Sequence, residues 1–214
     1  MTNKTRIHTI YKLKSGDRIP SVTTVLGILA KPALIQWAWE LGTKGIDYKA
    51  VRDQAGDIGT LAHALIIADL KGDKFDTSEY SAQDIQKAEN CLIKYWDWAK
   101  VNPIKSILLE TPLISEVYQF GGTVDCFAER QDTKELVLID FKTGKAIYPE
   151  HLYQLSAYEQ LLKEADFRFD QTMILRIGRD EVEGFEVRSL GDLSKAFEIF
   201  KNCLSIYNLQ KGIK

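Results

Sequence analysis

Asp140, Phe141 and Lys142 stand at the end of a dry run, Leu136-Val137-Leu138-Ile139, just before Thr143-Gly144. An apolar run that stops at a turn signal predicts a buried strand ending in a loop. Side chains alternate along a strand, so Asp140 and Lys142 share one face with Leu136 and Leu138, about 7 Å apart along the strand. Phe141 shares the other face with Ile139 and Val137. A buried carboxylate and a buried ammonium each cost on the order of several kcal/mol unless something compensates them. The segment alone fits two readings equally, a structural ion pair and an active site.

Other reactive residue types lie at suggestive spacings. His63 ends Gly59-Thr60-Leu61-Ala62-His63, about one turn inside a helix that Gly59-Thr60 is expected to open. It is surrounded by small and apolar residues, and a lone histidine on such a face is more often a core residue than a ligand. Asp125 is expected to share a strand face with Thr123 and Phe127, with Val124, Cys126 and Ala128 on the other. Gln154 and Tyr158 are four apart, which puts them on one helical face. Glu110 stands near a strand end, open between a site acid and a solvated charge.

The elements that must position these residues are legible from period and punctuation. Ser21 caps a short helix through Val22, Val25, Leu26 and Leu29. Pro32 opens another, whose stripe of Leu34, Ile35, Trp37, Ala38 and Leu41 reads as a packing anchor. Ala82 to Val101 is strongly amphipathic, with Ile85, Ala88, Leu92, Tyr95, Trp96 and Ala99 on one side. After Pro103 the period shortens. Strands are expected over Ile104–Ser115, Glu116–Glu129 and Leu136–Lys142, forming an antiparallel meander. A helix over Pro149–Lys163, strands at Gln171–Ile177 and Val182–Val187, and a closing helix over Leu190–Leu209 complete the chain.

The chain of 214 residues is 45% hydrophobic and 27% charged, which suits a globular fold with a full core. Its formal net charge of −2 excludes a bulk polycation but not a local basic face. Lys4, Arg6, Lys12, Lys14 and Arg18 form such a cluster and read as a solvated arm. No apolar run approaches the ~18 residues of a membrane helix, and Met1 to Ile10 lacks a signal-peptide core. The expected compartment is the cytoplasm, with no membrane partner. The three cysteines, Cys91, Cys126 and Cys203, form no Cys-x-x-Cys pair, so no iron–sulfur cluster is expected. The phosphate-binding Gly-x-x-x-x-Gly-Lys loop is missing, and no nucleotide cofactor is expected.

Taken together, Gly122-Thr123-Val124-Asp125, Asp140-Phe141-Lys142 and Gln154-Leu155-Ser156-Ala157-Tyr158 resemble the signature of the PD-(D/E)xK nuclease superfamily. The histidine in Gly59-Thr60-Leu61-Ala62-His63 resembles the RecB-like exonuclease branch. Within that branch the chain looks most like the mitochondrial genome maintenance exonuclease and phage-encoded relatives, over residues 20 to 188. Pro20-Ser21-Val22-Thr23 and Glu116 through Glu129 add to that likeness. The resemblance implies a mixed α/β fold: a restriction-endonuclease-like core, a central mixed sheet of about five strands flanked by helices, and an N-terminal helical elaboration. Residues 1–103 would supply the arm, the helices and His63; residues 104–214 would form the nuclease core of the same compact domain.

The resemblance also implies a function. Asp125 and Asp140, the Phe141 carbonyl and His63 would hold Mg²⁺ or Mn²⁺, which take hard oxygen ligands, with imidazole tolerated by manganese. Asp125, Asp140 and Lys142 would be catalytic. Lys142 can hold or deprotonate the attacking water, or stabilise the phosphate oxygens. Gln154 and Tyr158, with Glu110, would support the site or bind DNA. The expected activity is a DNase, preferably an exonuclease on single-stranded DNA or DNA ends, with a separate helicase or recombination protein as partner. A structure-selective endonuclease and an inactive DNA-binding module are the alternatives. Trp37, Trp39, Tyr95 and Trp96 are candidates for stacking on a threaded strand.

Overall fold

The computed structural model describes residues 9–213. Lys4 and Arg6 of the basic cluster lie outside them. The fold is mixed α/β, with one five-stranded mixed sheet flanked by helices. The order begins with a two-stranded antiparallel hairpin, β1 (Tyr11–Lys12) and β2 (Arg18–Ile19). Four helices follow: α1 (Val22–Leu26), α2 (Pro32–Thr43), α3 (Tyr48–Lys71) and α4 (Ala82–Val101). The main sheet is built from β3 (Ile104–Ser115), β4 (Phe120–Arg130), β5 (Leu136–Thr143), β6 (Gln171–Ile177) and β7 (Phe185–Leu190), in that spatial order. Helix α5 (Pro149–Glu164) crosses over between β5 and β6, and α6 (Ser194–Gly212) closes the chain.

The meander β3–β4–β5 is antiparallel, β5 pairs parallel with β6, and β6 pairs antiparallel with β7. The single parallel pair follows from the crossover, because a strand that returns through a helix re-enters in the same direction. The sheet is buried on both faces, which explains the near-continuous apolar run of β5. One core layer lies under α1, α5 and α6 and contains Val22, Phe120, Val124, Phe127, Leu138, Leu155 and Phe200. The other lies under α3 and α4 and contains Leu61, Ile66, Cys91, Tyr95, Val137, Ile139 and Phe141. Each fully buried large side chain of this kind contributes about 1.5–3 kcal/mol. The expected alternation along β5 holds, with Leu136 and Leu138 in the first layer and Val137, Ile139 and Phe141 in the second.

Several expectations change. Helix α3 starts at Tyr48, where Asp47 accepts the Lys49 N–H at 2.9 Å, so Gly59-Thr60 does not open a helix but lies in its middle. Gly59 serves contact instead: a Cβ there would sit 2.7 Å from Thr143 Oγ1, so its absence lets α3 cross close to the end of β5. Helix α2 forms as predicted yet has no buried residue. Its stripe is not a core anchor, since Leu34 is 54% and Ile35 72% exposed. On α4 the buried tryptophan is Trp98, while Trp96 faces out. Strand β7 begins at Phe185; Val182, given to it from sequence, is fully exposed in the preceding turn. Leu190, expected to open the last helix, instead ends β7. Among the described residues, no helix is long and apolar enough to cross a membrane.

Candidate functional site

The candidate residues meet where β3, β4 and β5 run under α3 and α5. Alternation on β4 breaks there. Cys126 and Ala128 pack under α3 and α4, but Val124 packs on the opposite layer. The expected common face for Val124, Cys126 and Ala128 is therefore wrong, and Asp125 marks the switch. On β3, Leu109 pairs with Cys126 and Thr111 with Val124, which puts Glu110 opposite Asp125. Glu110 has φ 44, left-handed backbone that side-chain-bearing residues rarely adopt. Both strands thus change faces at one pair of acids, and the irregular backbone turns both carboxylates toward α3.

His63 bridges them. Its Nε2 lies 3.3 Å from Asp125 Oδ2 and its Nδ1 3.5 Å from Glu110 Oε1. Burial opposes the imidazolium, but Asp125 and Glu110 outweigh it and raise the pKa of His63 to about 10. The ring also packs edge-on against Phe141, 6.0 Å between centroids. Phe141 donates its backbone N–H to Asp125 Oδ2 at 3.0 Å. Burial pushes Asp125 up, yet the His63 charge, Lys142 and that N–H hold it below the usual carboxylate range.

Asp140 is 1% exposed and lies against Lys142 Nζ. Neither of its oxygens accepts a hydrogen bond among the described residues. Its contact with the lysine is an ion pair, 2.5 Å from Nζ to Oδ2, and Oδ1 has no partner among the described residues. Burial drives the Asp140 pKa up; Lys142 counters, and Asp125 adds to the rise. A buried carboxylate without donors is expensive to keep.

Helix α5 supplies the other wall. Gln154 Nε2 donates to Tyr158 OH at 2.8 Å. Burial, then Asp125 and Asp140, push the Tyr158 phenol well above its ordinary pKa, so it stays a neutral donor. Two adjacent glycines make room for this wall and its neighbour. A Cβ on Gly122 would meet Tyr158 Cε1 at 2.6 Å, and one on Gly121 would meet Tyr11 Cδ1 at 2.3 Å. Tyr11, which the sequence did not single out, bonds through its hydroxyl to Thr123 Oγ1 at 2.7 Å. Glu116, matched only by resemblance, accepts the Lys14 N–H at 2.8 Å. Lys12, Lys14 and Arg18 therefore belong to a docked hairpin rather than a loose arm.

All eight predicted site residues, His63, Glu110, Asp125, Asp140, Phe141, Lys142, Gln154 and Tyr158, fall in this region. Tyr95 cannot stack on a strand, being 2% exposed in the core. Among the described residues no three His, Cys, Asp or Glu side chains form a ready metal cage. The donor set still suits a divalent cation in kind: two carboxylates, a third acid and an imidazole, with the Asp140 oxygens lacking donors.

No protein-family model and no curated protein matches the sequence. A solved structure described as the crystal structure of SSO0001 is similar over 72% of this chain and 74% of its own, at 12% identity and a TM-score of 0.36. A likeness of that size carries no argument about fold or function.

Proposed function

We propose that this chain is a metal-dependent DNA nuclease of the PD-(D/E)xK type that hydrolyses phosphodiester bonds. The observation that carries the reading is Asp140 at a strand end, a buried carboxylate whose Oδ2 is ion-paired to Lys142 and whose Oδ1 has no partner among the described residues. A structural ion pair would be expected to satisfy its oxygens. A carboxylate kept short of donors suits a cation. Asp125, Asp140, the Phe141 carbonyl and His63 would hold Mg²⁺ or Mn²⁺. When bound, the ion would acidify water and neutralise charge on the scissile phosphate. Lys142 holds the attacking water or takes its proton, or as an ammonium stabilises the phosphate oxygens. Gln154 and Tyr158 fix the wall opposite, and the phenol stays a neutral donor.

An exonuclease on single-stranded DNA or DNA ends is the preferred mode, drawn from the RecB-like resemblance, as are a cytoplasmic setting and a separate helicase or recombination partner. Exposed Trp39 and Trp96 remain available for base stacking. The test is digestion of 5′- and 3′-labelled single-stranded, duplex and circular DNA with Mg²⁺ or Mn²⁺. We expect release of short products, loss in EDTA and recovery with metal; cleavage of circles as fast as linear strands would favour the endonuclease. The rival is an inactive DNA-binding module, disfavoured because every motif position is present. DNA binding without turnover in any metal would decide for it.

A further inference from the structure

His151 is a half-buried titratable residue that the proposed hydrolysis does not use. It sits in the first turn of α5, three residues before Gln154 and seven before Tyr158. At 100° per residue these three fall within roughly 60° of arc, on one helical face. Tyr158, on that face, is within electrostatic reach of Asp125 and Asp140. His151 is also within electrostatic reach of Lys142. The residue thus extends the wall of the site by two helical turns beyond Tyr158.

Its protonation is fixed by local geometry. The backbone N–H of Tyr148 donates to His151 Nδ1 at 3.3 Å, so Nδ1 is an acceptor and the ring proton sits on Nε2. The Tyr148 ring packs edge-on against the imidazole at 5.6 Å, which limits its rotation. Burial and the Lys142 charge lower the pKa of His151 to about 4, in keeping with a neutral ring that keeps its single donor. The donor at Nε2 has no partner among the hydrogen bonds of the described residues.

Resting on the nuclease reading, we infer that His151 is a substrate-binding residue, donating from Nε2 to a non-bridging phosphate oxygen of the nucleic-acid backbone beside the scissile bond. A neutral donor fits here, because a second cation next to Lys142 would be repelled. Tyr148 N–H sets the tautomer, and the Gln154–Tyr158 pair continues the same wall toward the reacting phosphate.

Asparagine and glutamine separate this role from capping. His151→Asn keeps an acceptor for Tyr148 N–H but has no donor at the ε position. His151→Gln places an N–H there. The experiment measures steady-state hydrolysis of a labelled single strand, and binding of a fluorescent oligonucleotide in metal-free buffer, for wild type, His151→Asn, His151→Gln and His151→Ala. We expect Asn and Ala to raise KM and weaken binding about tenfold, and Gln to recover most of both. An Asn variant equal to wild type, or a Gln variant as weak as Ala, overturns the inference. Absence of turnover with the binding order intact would sink the hydrolase reading and leave His151 as a phosphate contact. Absence of both turnover and binding would overturn the two together.

Discussion

Asp140 and Lys142 put two charges into a buried place at the expense of stability. Their charges are close, yet Asp140 lacks hydrogen-bond donors. Lys142→Ala should cut turnover at least about 100-fold, the range of a lost proton-transfer or charge partner. It should also lower stability by about 3 kcal/mol near pH 8, because the carboxylate is left buried and alone. The sign with pH follows from the raised Asp140 pKa. A carboxyl held above its unfolded value favours the fold while protonated, so the Lys142→Ala penalty should shrink as pH falls toward about 4. Denaturant titrations at pH 8 and pH 5 check this; a penalty independent of pH would mean that Asp140 is not the group exposed by the change. Asp140→Asn should abolish turnover with little loss of stability, since it removes the charge and keeps the shape.

At the scale of elements, the helices divide into those that carry the sheet and one that does not. Helix α3 depends on Gly59 to approach Thr143. Gly59→Val should lower stability by about 1–3 kcal/mol through overpacking, and Thr143→Ala in the same chain should return part of it. Failure of that rescue would show that the two residues do not limit the approach. Helix α2 is different: Ile35→Ser or Trp39→Ser should change stability by less than about 0.5 kcal/mol, as at other exposed positions. Tyr95→Ala, in the core of α4, should cost about 3–5 kcal/mol. Thermal unfolding of the three side by side tests the contrast. The turn between β6 and β7 offers a pH probe away from the site. Its side-chain hydrogen bond from Arg179 is the largest cause that brings the pKa of Glu183 to about 2. Because the folded pKa is depressed, the stabilisation is present above about pH 4.5 and lost as pH falls toward about 2. The Tm gap between wild type and Glu183→Gln should therefore be widest at neutral pH, worth about 2 kcal/mol, and should narrow below pH 4.5.

Across the whole molecule, the candidate site forms because sequence-distant pieces meet: α3 brings His63, the β3–β4 pair brings Glu110 and Asp125, β5 brings Asp140 and Lys142, and α5 brings Gln154 and Tyr158. The sequence by itself determined the elements, because their periods and caps are local properties. Ser21 and Pro149 mark helix starts where the structure has them, and the alternation of Leu136 to Phe141 predicts which side chains enter which core layer. The residue types of the candidate site were legible too, since paired acids and a lysine at a strand end are costly to bury, although that segment alone fits a structural ion pair as well. Other features were not. The face switch at Asp125 depends on the left-handed Glu110 across the pair, and no pattern within β4 encodes it. Gly59, Gly121 and Gly122 look like turn or helix-start residues until their neighbours Thr143, Tyr11 and Tyr158 are seen in contact. The amphipathic stripe of α2 predicts burial, but burial needs a partner surface, and where α2 meets α3, with Trp37 edge-on against Tyr48, the stripe stays half-buried at best. Only tertiary contact decides such cases, because space, burial and the electrostatic field at a residue are properties of what packs beside it rather than of its own segment.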